Sequence, residues 1–116
     1  MTDRKTLLRA YKQTPPAAGV YRVRDTVSGG YLLGSSLNLP GILNRHRFSL
    51  ELGRERCRDL QRAWDVDGAG AFALEVLDTL APSDDPASDP AEEVRLLEEL
   101  WRARLAAADG PAWAIR

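Results

Sequence analysis

A carboxylate lies within the apolar stripe of the last predicted helix. The residues of this stripe are spaced at i, i+4, i+7 and i+11: Val94, Glu98, Trp101 and Leu105. A carboxylate that is removed from water needs a cation or hydrogen-bond donors. A hard divalent cation such as Mg²⁺, held by one carboxylate and otherwise by water, would satisfy Glu98. An ion pair with Arg102, four residues later, is the alternative.

A tyrosine on a predicted strand is the second candidate. Side chains alternate between the two faces of a strand, so Tyr21 is expected on the face opposite Val20. Its hydroxyl could order or deprotonate a water molecule near a metal. Because an ordinary tyrosine pKa is about 10, that role requires a metal or an arginine nearby. A tyrosine packed against a helix is the alternative.

Arg45 and His46 follow each other on a predicted middle helix. The planar guanidinium of Arg45 is suited to clamping a phosphate. His46, the single histidine of the chain, could contact phosphate or polarise a water molecule. Arg45 could equally be a solvated helix residue or a contact to a DNA backbone, and His46 a packed residue with one satisfied ring nitrogen.

Local patterns predict the elements that would position these residues. Ser28-Gly29-Gly30 supplies the turn of a β-hairpin, and Asn38 with Pro40 marks the start of a helix. The predicted elements are a helix over 6–13, two strands within 19–34, helices from 38 to about 52 and from about 56 to 64, a strand over 72–77, and a helix from 90 to about 107. The order is αββααβα.

The length of 116 residues predicts a single domain over 1–116, with a solvated loop over 81–90 that contains three prolines and three aspartates. The apolar runs are too short to span a membrane, and the N-terminus lacks the apolar stretch of a signal peptide. Cys57 is the single cysteine, which excludes an internal disulfide and a cysteine-based zinc cluster. A cytoplasmic location is therefore expected.

The formal net charge of −1 conceals an asymmetry between the two halves of the chain. Residues 1–64 carry twelve Lys or Arg against five Asp or Glu, whereas residues 65–116 carry four against twelve. Six arginines make the two middle helices basic: Arg45, Arg47, Arg54, Arg56, Arg58 and Arg62. They could follow a phosphate backbone, or they could form a solubilising surface with local ion pairs.

Five blocks in a constant order resemble one known family over about residues 5–105. They are Gly19-Val20-Tyr21; Leu32-Leu33-Gly34 with Ser35-Ser36; Asn44-Arg45-His46; Leu60 to Trp64, followed by a glycine turn and Phe72 to Leu77; and Leu97 to Trp101. In these blocks and their spacing the chain resembles the GIY-YIG endonucleases. The first two blocks look like the half-motifs that give this family its name.

The resemblance implies a fold, an activity and a set of roles. The fold is α+β, with a small three-stranded antiparallel sheet flanked by helices. The activity is metal-dependent hydrolysis of DNA phosphodiester bonds, with Mg²⁺ or Mn²⁺ as the cofactor. Tyr21 would then help to activate water and Glu98 would bind the metal, while an arginine on the helix after the hairpin would stabilise charge.

Several positions depart from the family pattern. Leu32 stands where the second tyrosine is expected, and Tyr31, one residue earlier, should point to the other face of the sheet. Ile42 stands at the arginine position, with Arg45 three residues later on the same side of the helix. Some family members have a histidine in the turn before the second middle helix, where this chain has Glu55. The asparagine expected after the last helix has no counterpart.

The sequence thus predicts a metal-dependent DNA endonuclease with Tyr21, Arg45, His46 and Glu98 as its catalytic residues. DNA contacts are expected from Arg45, Arg47, Arg54 and Arg58. Two alternatives remain open. One is a catalytically weakened relative that binds nucleic acid without cutting it, and the other is a protein-interaction domain on the same fold.

Overall fold

A three-stranded antiparallel sheet forms the centre of the protein. The computed structural model describes residues 16–81 and 85–113. Strand β1 (Gly19–Asp25) pairs on one side with β2 (Tyr31–Ser36) and on the other with β3 (Phe72–Thr79), which gives the order β2-β1-β3. Both neighbours run antiparallel to β1.

The turn of the β1–β2 hairpin is stabilised by an aspartate side chain. Asp25 is buried, and its Oδ1 accepts hydrogen bonds from the backbone N–H groups of Val27 (2.9 Å) and Ser28 (3.4 Å). Gly29 follows with φ of +84°, a conformation that glycine adopts without steric cost. The hairpin predicted from the glycine-rich turn is therefore confirmed.

Strand β3 contains an irregularity where it passes the start of β1. Val20 lies opposite Asp78 but Tyr21 lies opposite Val76, so Leu77 is an extra residue on β3. Such a bulge shifts the alternation of side chains beyond it. The Asp78 carboxylate accepts a hydrogen bond from Trp101 Nε1 at 3.0 Å, which fastens this end of β3 to the last helix.

Three α-helices flank the sheet in the described part of the chain. Helix α1 (Leu39–Glu51) begins after Asn38, whose Oδ1 accepts the Gly41 N–H at 3.1 Å, as its position before Pro40 predicts. Helix α2 covers Arg58–Asp67, and α3 covers Pro90–Asp109 with Asp89 as its N-cap. No helix among the described residues is long and apolar enough to cross a membrane.

The predicted bounds differ from the structure by two or three residues in several elements, among them β2, which ends at Ser36 instead of Gly34, and α3, which ends at Asp109. Helix α2 begins two residues after the predicted Arg56 and continues past Trp64 to Asp67, because Gly68, with φ of +82°, is the residue that ends it. Strand β3 extends beyond Leu77 to Thr79. The predicted helix over 6–13 lies outside the described residues.

The two faces of the sheet support separate parts of the core. Tyr21, Val23 and Leu32 pack on one face against buried residues of α1, of α2 and of the loop between them: Leu39, Leu50, Cys57 and Leu60. Val20, Tyr31 and Leu33 pack on the other face against Leu105 of α3. The prediction that Tyr31 points away from Tyr21 is confirmed, and its hydroxyl donates to the Gly110 carbonyl at 2.6 Å.

A buried arginine joins the sheet to the end of α3. The guanidinium of Arg22 contacts Glu75 of β3 at 2.9 Å and Asp109 of α3 at 3.1 Å, and it lies over the Tyr31 ring. Burial opposes ionisation of Glu75, but the guanidiniums of Arg22 and Arg24 outweigh it and hold the Glu75 pKa below its usual value. The pair therefore stays charged at neutral pH.

We expect Leu60→Ala to lower the free energy of unfolding by about 2–5 kcal/mol, because Leu60 is fully buried and the change leaves a cavity. Val66→Ala on the same helix is the matched control, since Val66 is 77% exposed. Its effect should stay within about 0.5 kcal/mol. Urea denaturation measures both values, and equal losses would contradict the position assigned to α2.

Candidate active site

The Tyr21 ring lies over the neighbouring strand β2 because the residue beside it has no side chain. Tyr21 on β1 lies opposite Gly34 on β2, the edge strand. A Cβ atom at Gly34 would lie 2.5 Å from the Tyr21 hydroxyl oxygen, closer than such atoms approach in proteins. The ring therefore occupies the space over Gly34, and only 4% of Tyr21 is exposed. This is the physical requirement for glycine in the second half-motif.

The Tyr21 hydroxyl is hydrogen-bonded to the single histidine. Its oxygen lies 2.9 Å from His46 Nε2, and the two ring centroids are 5.4 Å apart. His46 is one of the buried residues of α1, on the side that packs against the sheet. The structure thus brings together two residues that the sequence placed in separate elements.

The other nitrogen of the same imidazole contacts a carboxylate to which the sequence analysis assigned no role. His46 Nδ1 lies 2.9 Å from Oε2 of Glu55, in the loop between α1 and α2, and the Glu55 side chain is 5% exposed. Burial opposes its ionisation, but the hydrogen bond and charge of His46 and backbone N–H groups outweigh it, so the Glu55 pKa lies below its usual value.

The surroundings of Tyr21 strongly favour its neutral form. Burial, followed by the negative charges of Glu98 and Glu55, raises the pKa of Tyr21 to about 12, and the positive charge of Arg45 opposes this shift. At pH 7 the phenolate would then make up only on the order of 10⁻⁵ of the population. Tyr21 therefore requires a partner that removes its proton if it is to act as a base.

Glu98 lies on α3 beside the other face of the edge strand. Its Oε1 accepts the Ser35 hydroxyl at 2.7 Å, and its Oε2 accepts Arg102 Nη2 at 2.6 Å. The ion pair considered as the alternative is thus present. The carboxylate remains 23% exposed and lines a cavity of about 400 Å³ together with Tyr21 and Gly34.

The position of Glu98 is compatible with a hard divalent cation. An ionised carboxylate has about four lone-pair sites, and the hydrogen bonds from Ser35 and Arg102 occupy only two of them, which leaves the others for a cation in the cavity. The described residues contain no group of three or more His, Cys, Asp or Glu that could enclose a metal. Mg²⁺ does not require one, because it commonly retains several waters and is held by one or two carboxylates together with substrate phosphate.

Three arginines line a second cavity that Tyr21 also lines. This space of about 210 Å³ is lined by Tyr21, Ile42, Arg45, His46, Ser49, Arg54, Glu55 and Arg56. Ile42, at the position where the family resemblance implies an arginine, contributes only an apolar wall. In the part of the chain that the structure describes, Arg45, Arg54 and Arg56 make no ion pair.

The arginines predicted to contact DNA divide into two groups. Arg54 and Arg58 line a third cavity, of about 590 Å³, next to the second one, and Arg56 and Arg62 line it too. Arg47 lies elsewhere, beside Leu43 and Leu74. The structure therefore places Arg45 and Arg54 beside the Tyr21–His46 pair and Arg58 in the adjoining cavity, and it leaves Arg47 apart.

The three antiparallel strands and their flanking helices form the α+β fold of the GIY-YIG nucleases, as the sequence predicts. Two solved structures share it. The catalytic domain of the homing endonuclease I-TevI is 21% identical, with 84% of this chain and 98% of that chain covered and a TM-score of 0.65. An alanine variant of the same catalytic domain is 20% identical, with 86% and 96% covered and a TM-score of 0.64.

No protein-family model matches the sequence, and no curated protein matches it either. The likeness to the I-TevI catalytic domain, at 21% identity, therefore establishes the fold alone. Function depends on the site that a fold carries. Any activity of this protein therefore depends on the site formed by Tyr21, His46, Glu55, Glu98 and the neighbouring arginines.

We expect Gly34→Ala to displace the Tyr21 ring and break its hydrogen bond to His46, because the added Cβ would overlap the hydroxyl. Overpacking of this kind costs about 1–3 kcal/mol of stability. Chemical denaturation and the NMR signals of the His46 ring measure the two effects. Gly70→Ala is the control, since a Cβ there meets nothing within 4 Å. Unchanged His46 signals in Gly34→Ala would contradict the geometry described for Tyr21.

Proposed function

We propose that this protein is a metal-dependent endonuclease that hydrolyses phosphodiester bonds of DNA. The observation that carries the proposal is the position of Tyr21. Its side chain lines both the cavity that contains Glu98 and the cavity that contains Arg45, Arg54 and Arg56, which make no ion pair with the residues that the structure describes. In this proposal, Tyr21 transfers protons, the Glu98 carboxylate binds a cation, and the guanidiniums bind phosphate. These groups lie close together in a nuclease-like fold.

Tyr21 and His46 are the residues proposed to act on the attacking water. A general base must lie within hydrogen-bond reach of the proton that it removes. The Tyr21 hydroxyl is hydrogen-bonded to His46 at 2.9 Å, and the Tyr21 side chain lines both cavities, from which the attacking water would approach it.

Glu98 is the residue proposed to hold Mg²⁺ or Mn²⁺. When bound, the metal would neutralise charge on the phosphate and act as a Lewis acid. Ser35 and Arg102 fix the orientation of the Glu98 carboxylate from two sides. Arg102 is half-exposed, so its ion pair with Glu98 can open toward an incoming phosphate at modest cost.

Arg45 is proposed to stabilise the charge that develops on the phosphate, with Arg54 and Arg56 beside it. All three line the cavity next to Tyr21 and are free of ion pairs within the described residues. A guanidinium presents a rigid set of donors that matches a phosphate. In this proposal they compensate for Ile42, which supplies no charge.

Binding of nucleic acid without cleavage is the second candidate. Ile42 favours it, because the helix position implied for the arginine is apolar. The ion pair between Glu98 and Arg102 favours it too, since it partly satisfies the carboxylate without a metal. Under this alternative the arginines would still contact the backbone of DNA.

We expect wild-type protein to cleave DNA in Mg²⁺ or Mn²⁺, and Glu98→Ala to reduce the rate by about 10²-fold or more, as loss of a principal electrostatic group does. Glu99→Ala is the matched control, because Glu99 lies on the exposed side of α3, paired with Arg95 at 2.6 Å. Chelation of the metal should abolish cleavage by the wild type and by Glu99→Ala.

Duplex, branched and single-stranded DNA should each be tried in this assay. If Glu98→Ala cut as fast as the wild type, the assignment of the metal to Glu98 would be wrong. If the wild type cleaved none of the substrates but bound them, the binding-only function would replace the endonuclease.

We expect Arg54→Ala with Arg56→Ala to weaken DNA binding and to reduce the slope of log affinity against log salt by about 1–2, because each phosphate contact releases counterions. Arg95→Ala is the control, since Arg95 is paired with Glu92 and Glu99 on α3. Titrations of labelled DNA in chelator, at several salt concentrations, avoid cleavage during the measurement. An unchanged slope would place the DNA elsewhere on the surface.

A further inference from the structure

Three buried side chains from three parts of the fold form one hydrogen-bonded chain. The Tyr21 hydroxyl contacts His46 Nε2, and His46 Nδ1 contacts Glu55, both at 2.9 Å. We propose that Glu55 is a positioning residue: it keeps the proton of the neutral imidazole on Nδ1, so that Nε2 is the base that receives the Tyr21 proton during hydrolysis. The proposal deepens the proposed endonuclease function and rests on it.

The ionised state of Glu55 determines where the hydrogen between Glu55 and His46 resides. An ionised carboxylate accepts hydrogen bonds but cannot donate one. Backbone N–H groups point at Glu55, among them that of Cys57 at 3.4 Å from Oε1, and together with His46 they keep its pKa below the usual value despite burial. The hydrogen of the 2.9 Å contact therefore belongs to His46 Nδ1.

The tautomer of His46 follows directly. A neutral imidazole has one N–H and one lone pair, so a proton on Nδ1 leaves the lone pair on Nε2. Nε2 then accepts, and the Tyr21 hydroxyl donates. The Tyr21 proton thus points at a base, while the oxygen lone pairs of Tyr21 remain available for a water molecule.

The loop that carries Glu55 is held in place by a side chain from α2. Gln61 Oε1 accepts the Glu55 backbone N–H at 3.0 Å, and Gln61 Nε2 donates to the Leu50 carbonyl at 3.2 Å. One amide thus joins the end of α1 to the loop before α2. Such support fixes the Glu55 carboxylate relative to His46, which a residue on a free loop would lack.

In the proposed hydrolysis, Tyr21 and His46 together remove one proton from the attacking water. As the water oxygen bonds to phosphorus, a water proton moves to the Tyr21 oxygen and the Tyr21 proton moves to His46 Nε2. The P–O bond to the leaving group breaks, and that oxygen takes the electron pair and a proton from solvent. His46 becomes an imidazolium stabilised by Glu55, and it later returns its extra proton to solvent.

This relay resolves the difficulty that Tyr21 presents as an isolated base. Its pKa of about 12 makes prior loss of the proton rare, but transfer to His46 during attack requires no free phenolate. The charged groups around the relay are Arg45 on α1, Arg54 and Arg56 in the following loop, and Glu98 on α3. The arginines oppose the extra positive charge of the imidazolium, which makes the adjacent Glu55 carboxylate necessary.

NMR of the histidine ring nitrogens tests the proposal without any substrate. His46 is the single histidine, so protein labelled with ¹⁵N-histidine gives one pair of ring signals. At about pH 8, we expect a protonated Nδ1 and an unprotonated Nε2. A proton on Nε2 in the wild type, in a neutral or a charged ring, would overturn the proposal.

Variants of Glu55 provide the second readout. In Glu55→Ala, we expect the preference for a protonated Nδ1 to disappear and cleavage to fall by about 10²-fold, a typical contribution of general base catalysis. Glu55→Asp retains the charge on a shorter side chain, so it should recover part of the preference for a protonated Nδ1 and part of the cleavage rate. Glu51→Ala, on the exposed surface of α1, is the control and should leave both unchanged.

The NMR and cleavage measurements distinguish an incorrect role of Glu55 from an incorrect endonuclease function. If the wild type shows the expected tautomer but cuts no DNA, the proposed function fails while the positioning role of Glu55 stands. If Glu55→Ala keeps the wild-type tautomer and cleavage rate, Glu55 has no positioning role, whatever the substrate. A pH profile of cleavage that is the same in Glu55→Ala and the wild type would also overturn the proposal.

Discussion

Pairing of β1 on both edges is the constraint on which the rest of the structure depends. Successive side chains of a strand point to opposite faces, and because β1 is the central strand, helices pack against both of its faces. Val20 therefore packs toward α3 and Tyr21 toward α1. The candidate site lies at the edge strand β2. There the Tyr21 ring covers Gly34, and Glu98 of α3 lines the same cavity as these two residues.

Features governed by short-range rules could be predicted from the sequence. The Asn38 cap, the Ser28-Gly29-Gly30 turn and the direction of Tyr31 each depend on a few neighbouring residues or on the parity of a strand. The placement of Glu98 in an apolar stripe is of the same kind, and it correctly indicated a partly buried carboxylate. The family resemblance added that the three strands form one antiparallel sheet, which local patterns do not determine.

Glu55 shows why the remainder could not be predicted. It lies in a loop, where no periodicity indicates the direction of a side chain, and its partner His46 is nine residues earlier on a helix. Their contact depends on the path of the loop, which Gln61 determines from α2. The start of α2 at Arg58 was also missed, because Cys57 provides no side-chain capping bond.

The extra residue at Leu77 has a consequence for comparison among related chains. Beyond the bulge, β3 is out of phase with the part that precedes it, so Asp78 occupies the face from which it reaches Trp101 on α3. Leu77 itself packs with the buried cluster on the α3 side of the sheet. A relative that lacks this one residue would keep the aspartate opposite Val20 but lose the apolar contact of Leu77, so a gap of one position there removes packing next to the helix that carries Glu98 without changing the strand pairing.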